Sequence, residues 1–169
     1  MKTPLSGWLE DSGSFMRRLE KHGVHDARVE VLHEDWGAPT ADEATALSLQ
    51  HEETALIREV LIQSGERYWM FARTVFPQKT LTGEQKALGH LGNRPLGSLL
   101  FSDPTLKRSP FKITQLTSDT PQHKQISRLL NKPLPDLWCR RSILSVHNKP
   151  LLLTEVFLPD VQLLENKSI

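Results

Sequence analysis

Two pairs of apolar, strand-length runs are each divided by a short turn: TALIREVLIQ and RYWMFARTVFP around SGE in residues 54–77, and LWCRRSILSVH and PLLLTEVFLP around NK in residues 137–159. Runs of this length, rich in β-branched and aromatic residues and broken by turn chemistry, read as β-hairpins. Two further stretches, ARVEVLHED and FKITQLT, alternate like strands. The connections that can be read are hairpins rather than strand-helix-strand crossovers, which points to an antiparallel sheet. DSGSFMRRLEKHG reads as a helix capped by Ser14 and stopped at Gly23, and TGEQKALGHLGNRPLGSLLF as two short helices, the second opening at Pro95. WGAPTADEATALSL reads as a loop with a helical turn, and residues 117–136, with Pro121, Pro133 and Pro135, as a surface excursion. The expected fold class is α+β: a single antiparallel sheet with helices packed on one face, in one domain spanning residues 1–169.

Bulk properties remove several function classes. Lysine and arginine number 21 against 20 aspartates and glutamates, so no broad basic surface exists for nucleic acid or anionic lipid. A lone cysteine, Cys139, excludes an internal disulfide framework, and no stretch resembles a signal peptide or a membrane span. A cytoplasmic monomer is expected, with no nucleic-acid partner and no stable membrane insertion. The seven histidines form no H-E-x-x-H or Cys/His pattern, so no metal site is expected. Motifs for nucleotide binding or a serine nucleophile are also missing.

What stands out is charge on apolar strand faces. By alternation, Leu151, Leu153, Glu155 and Phe157 share a face, as do Arg58 with Leu56, Val60 and Ile62, and Arg73 with Trp69, Phe71 and Val75. A loop at Ser64 and Gly65 sets Arg58 opposite Phe71, and one at Gly65 and Glu66 sets it opposite Arg73; either register puts both arginines on one face. Two guanidiniums among aromatics repel each other, so an anion between them is the economical explanation. In the second hairpin a loop at Asn148 and Lys149 sets Ser142 across from Glu155, with Arg140 diagonal. Two readings of Glu155 follow: a structural salt bridge with Arg140, or the lining of a ligand cavity shared with Arg58 and Arg73.

WLEDSGSFMRRLEKHG, LIREVLI, ARTVFP, LGNRPLGSLLF, LWCRRS and KPLLLTEVFLP, in that order, resemble the chorismate lyase family over most of residues 8–159. Each piece alone is weak, and the ordered set is specific. Phe15 stands where the family usually has methionine, and Cys139 where it has glycine or alanine. The resemblance implies a sheet of about six strands, an enclosed site behind two helical flaps, and cofactor-free elimination of pyruvate from chorismate to leave 4-hydroxybenzoate, an early step of ubiquinone synthesis. It further implies that Arg58 clasps the ring carboxylate, that Glu155 meets the ring hydroxyl, and that Phe15 and Leu96 touch substrate. Phe15 follows a capping serine and Leu96 a helix-opening proline, so both backbone amides are expected in a first helical turn, where unpaired donors favour a carboxylate. Arg73 is assigned to the enolpyruvyl side, and the ligand hydroxyl, rather than a permanent salt bridge, is expected to be the partner of Glu155. The other reading is a non-catalytic effector-binding module of the same fold. Such modules are fused to a winged-helix domain, for which no room is expected before Trp8.

Overall fold

The structure is a computed structural model that describes residues 3–165. Its helices are short, and three of those described are capped by side chains that their sequences offer. Helix α1 (Ser6–Leu9) is followed by α2 (Phe15–Lys21), whose Ser14 cap accepts from the Arg17 amide and whose chain leaves through Gly23 at a φ of +90°. Strand β1 (Arg28–Gly37) leads to α3 (Ala41–Ala46), a capped helix of six residues where a loop with a helical turn was expected. A capping box explains the difference: Thr40 accepts from the Glu43 amide while the Glu43 carboxylate accepts from the Thr40 amide.

Strands β2 (Ala55–Ser64) and β3 (Arg67–Pro77) form the first hairpin. One turn of 3-10 helix at Gln78–Thr80 and a longer one at Gly83–His90 follow, and then α4 (Gly97–Leu100). Leu96 takes the cap position of α4 and Gly97 its first, so Pro95 lies two residues further out than the sequence suggests. Strands β4 (Lys107–Arg108) and β5 (Lys112–Leu116) are followed by α5 (Pro121–Leu130), a regular helix inside the supposed surface excursion. Thr120 caps α5, Pro121 takes its first position and Asn131 closes it in the left-handed conformation. Strands β6 (Leu137–Val146) and β7 (Lys149–Phe157) make the second hairpin, and the described chain ends with α6 (Gln162–Glu165).

All strand pairs are antiparallel, in the order β1-β2-β3-β7-β6-β4, with β5 also on β6. Because β4 and β5 pair with successive parts of the same strand, seven strands occupy six positions. Both hairpin registers differ from the sequence reading. In the first, Trp69 is an extra residue between Tyr68, opposite Gln63, and Met70, opposite Ile62. This bulge sets Arg58 opposite Thr74 and Arg73 opposite Glu59, so the two arginines lie on opposite faces and their expected pairing fails. In the second, the turn is at His147 and Asn148, both at positive φ, which suits the type I′ geometry of a two-residue hairpin. Val146 therefore meets Lys149 and Arg140 meets Glu155 directly. The slip is two residues, so faces are preserved.

Helices cover both faces of the sheet, rather than one. Beneath α1 and α2, Trp8, Phe15 and Leu19 pack on Val60, Ile62, Met70 and Phe157; beside them Leu100 packs on Leu56, Phe76 and Leu151. On the reverse face Ile126 of α5 packs on Leu61, Phe71, Cys139 and Val156, while Leu47 at the end of α3 meets Val75 and Leu152.

Candidate active site

The first face is not filled. Between its centre and the starts of α2 and α4 lies a cavity of about 70 Å³, lined by Arg58, Val60, Ala72, Thr74, Leu153 and Glu155 from the sheet, Arg108 from β4, and Phe15 and Leu96 from the helix starts. That is room for on the order of five water molecules. The two helix starts converge over it: a Cβ added at Gly97 would stand 3.7 Å from Ser14 Oγ.

At one end is Arg58, whose side chain is 2 % exposed. Its Nη2 donates to the carbonyls of Gly92 (3.2 Å) and Arg94 (2.9 Å), which tie the turn before α4 to the sheet. Its Nε lies 3.4 Å from the partly exposed Glu34 carboxylate but makes no hydrogen bond among the described residues. Burial pulls the guanidinium below its ordinary pKa, and Glu34 opposes that only in part. A buried, incompletely satisfied cation facing a cavity suits an anionic ligand.

At the other end is Glu155, 5 % exposed. Arg140 grips it through Nε (2.9 Å to Oε1) and Nη2 (3.3 Å to Oε2), and Arg108 Nη2 adds a bond of 2.9 Å to Oε1. Three of roughly four acceptor positions on the carboxylate are thereby used, leaving one for a ligand. The salt bridge that the sequence reading set aside is therefore present, and Glu155 lines the cavity as well. Arg140 Nη1 donates to the carbonyls of Trp8, Leu9 and Asp11, so the ion pair also anchors the chain between α1 and α2.

Of the residues proposed from sequence, Arg58, Glu155, Phe15 and Leu96 meet at this cavity, and Arg73 does not. Arg73 is on the far face, where Nε and Nη2 each donate to Glu43 at 2.8 Å and Nη1 donates to Glu59 at 3.2 Å. Its assignment to the enolpyruvyl side is withdrawn, because the Trp69 bulge reverses its direction. Sequence reasoning missed Arg108. Strand β4 is two residues long and offers no alternation to read; the signal that could have marked it is the basic pair Lys107-Arg108 just before Ser109-Pro110. Among the described residues no three His, Cys, Asp or Glu side chains are grouped to hold a metal ion, and no helix is long and apolar enough to cross a membrane.

Comparison with known proteins decides the family. The model of the family described as chorismate lyase matches residues 1–169. A chorismate pyruvate-lyase of Hamiltonella defensa is 39 % identical over 155 residues, covering 92 % of this chain and 78 % of that protein. A probable chorismate pyruvate-lyase of Methylococcus capsulatus is 38 % identical over 157 residues, covering 93 % and 96 %. The chain belongs to the chorismate lyase family. Among solved structures, the effector domain of PhnF from Mycobacterium smegmatis aligns with a TM-score of 0.63 at 12 % identity, covering 88 % of this chain and 90 % of that one. The ligand-binding domain of a putative GntR-family regulator from Bordetella bronchiseptica gives 0.59 at 19 % identity, covering 80 % and 88 %. Those similarities show a shared fold. Membership of the chorismate lyase family makes this chain a lyase.

Proposed function

We propose that the protein converts chorismate to 4-hydroxybenzoate and pyruvate. The observation that carries the reading is a cavity with the cation Arg58 at one end and the acceptor Glu155 at the other. Strands β2 and β7 are two sheet positions apart, roughly 10 Å, a span suited to a ring with para carboxylate and hydroxyl groups. Arg58, supported by the amides of Phe15 in the first turn of α2 and of Leu96 at the cap position of α4, holds the ring carboxylate, and Glu155 accepts the hydroxyl hydrogen bond. The ether C–O bond breaks, and its electron pair becomes the pyruvate carbonyl. The hydrogen on the hydroxyl-bearing ring carbon leaves as a proton for the enolpyruvyl methylene, making it methyl, while its electron pair completes the aromatic ring.

Substrate and products are isomeric in sum, so no oxidant or reductant enters the scheme. Glu155 is engaged by three N–H donors, which favours an orienting role over that of a general base. Positioning and electrostatic stabilisation are then the protein's main contributions. The reading includes a cytoplasmic monomer that supplies 4-hydroxybenzoate to ubiquinone synthesis. Purified protein given chorismate in the presence of EDTA is expected to release both products in equal amounts. Binding without turnover would favour an effector module, and activity lost to EDTA and restored by metal would overturn the cofactor-free scheme.

A further inference from the structure

We propose that Arg108 binds the second carboxylate of the substrate, the one on the enolpyruvyl group, and so distinguishes the dianionic substrate from the monoanionic aromatic product. The inference rests on the lyase reading. In chorismate the enolpyruvyl ether is on the ring carbon next to the hydroxyl. A ring held by Arg58 and Glu155 therefore carries that group at the Glu155 end, where Arg108 lines the cavity with Nη2 at 2.9 Å from Glu155 Oε1.

Arg108 is placed and has donors to spare. Its Nε donates to Ser142 Oγ at 3.0 Å, its Nη1 to the Ser12 carbonyl at 3.1 Å and its Nη2 to Glu155, while the ring of Phe111 packs 4.4 Å from the guanidinium carbon. A guanidinium has five N–H groups, so among the described residues one on Nη1 and one on Nη2 are unspent. Arg140 does not line the cavity, and its bonds go to Glu155 and to three carbonyls between α1 and α2. Arg73 faces the other way. Charge agrees: Arg58 and Arg140 are buried and Arg108 is only partly exposed, with a single buried carboxylate among them, Glu155, while Glu34 and Asp11 stand at more open positions. A dianion balances that excess. As the ether breaks, negative charge grows on the pyruvate fragment, so a cation there stabilises the transition state as well as the bound substrate.

The test compares two ligands on the same variants. For Arg108→Gln, kcat/KM for chorismate is expected to fall on the order of 100-fold, the cost of losing a charge-assisted bond in a buried site. The Kd for 4-hydroxybenzoate, by calorimetry, should stay within about threefold, because the product lacks the second carboxylate. Arg108→Lys, which keeps the charge, should recover part of the loss. Equal losses for the two ligands, in both variants, would mean that Arg108 only supports Glu155 and would overturn the assignment, as would chorismate kinetics left unchanged. Wild-type protein in the same assay tests the lyase reading separately: no turnover there overturns that reading itself, whereas wild-type turnover with equal losses overturns only the role of Arg108.

Discussion

Glu155 serves the architecture and the cavity at once. From sequence its two explanations, a salt bridge and a ligand contact, were alternatives; in the structure one carboxylate takes both parts, because Arg140 approaches from the α1 side and Arg108 from the β4 edge while the carboxylate still lines the cavity. Glu155→Gln is therefore expected to damage both properties. Leaving Arg140 and Arg108 without a buried counter-charge should cost about 3–5 kcal/mol, which lowers Tm by on the order of 10 °C for a chain of this size. Activity per folded molecule should also fall, roughly 100-fold or less for an orienting residue. Thermal melts and turnover on the same preparation check this, and a variant with unchanged Tm would show that the Arg140 pair contributes nothing to stability. The sequence offered Arg140 as a candidate partner but neither Arg108 nor the register, because which residue stands directly opposite Glu155 depends on where the second hairpin turns. The two-residue slip kept Arg140 on the right face while moving it from a diagonal to a directly opposed position.

At the scale of elements, the network around Arg73 fixes α3 to the reverse face of the sheet. Burial alone would raise the Glu43 carboxyl, but hydrogen bonds from Arg73 and from the Thr40 amide outweigh it and hold the group below its ordinary value. A carboxyl lowered in the folded state contributes stability above its unfolded value, about 4.3, and loses it as pH falls through the folded value. Tm should therefore decline below about pH 4.3 in the wild type, and less steeply in Arg73→Ala, where Glu43 lacks its partner. At neutral pH Arg73→Ala should lower stability by about 3–5 kcal/mol yet leave the affinity for 4-hydroxybenzoate unchanged. Melts from pH 7 to pH 3, with one titration at pH 7, decide it; affinity lost with Arg73 would restore that residue to the site.

The strands themselves were legible from alternation and turn chemistry, and so was α2 from its Ser14 cap. The bulge at Trp69 was not, because it depends on tertiary partners: the indole donates to Ser64 Oγ at 2.8 Å, and the Trp69 carbonyl accepts from the Leu158 amide at 3.0 Å. One residue of slip there was enough to put Arg73 on the wrong face. Helices α3 and α5 did announce themselves, through Thr40 with Glu43 and through Thr120-Pro121, but in stretches whose polarity and prolines suggested loops.

In the whole molecule, a sheet covered on both faces leaves an unfilled space where the starts of α2 and α4 meet over Arg58 and Glu155. Both helix starts are tied down by the site's own cations: Arg58 holds the Gly92 and Arg94 carbonyls before α4, and Arg108 and Arg140 hold the Ser12 and Asp11 carbonyls before α2. Product release then requires those contacts to loosen, so rapid-mixing kinetics should show a burst of the first turnover followed by a slower steady state, with inhibition by 4-hydroxybenzoate. A linear time course without inhibition would show that the roof opens freely. The central claim, that this cavity binds the aromatic acid through Arg58, is tested most directly by calorimetric titration of 4-hydroxybenzoate into the wild type and into Arg58→Ala. The account expects one site per chain in the wild type and an affinity weaker by at least about 100-fold in the variant, because a buried carboxylate would lose its charge-assisted partner. Equal affinities for the two proteins would contradict it.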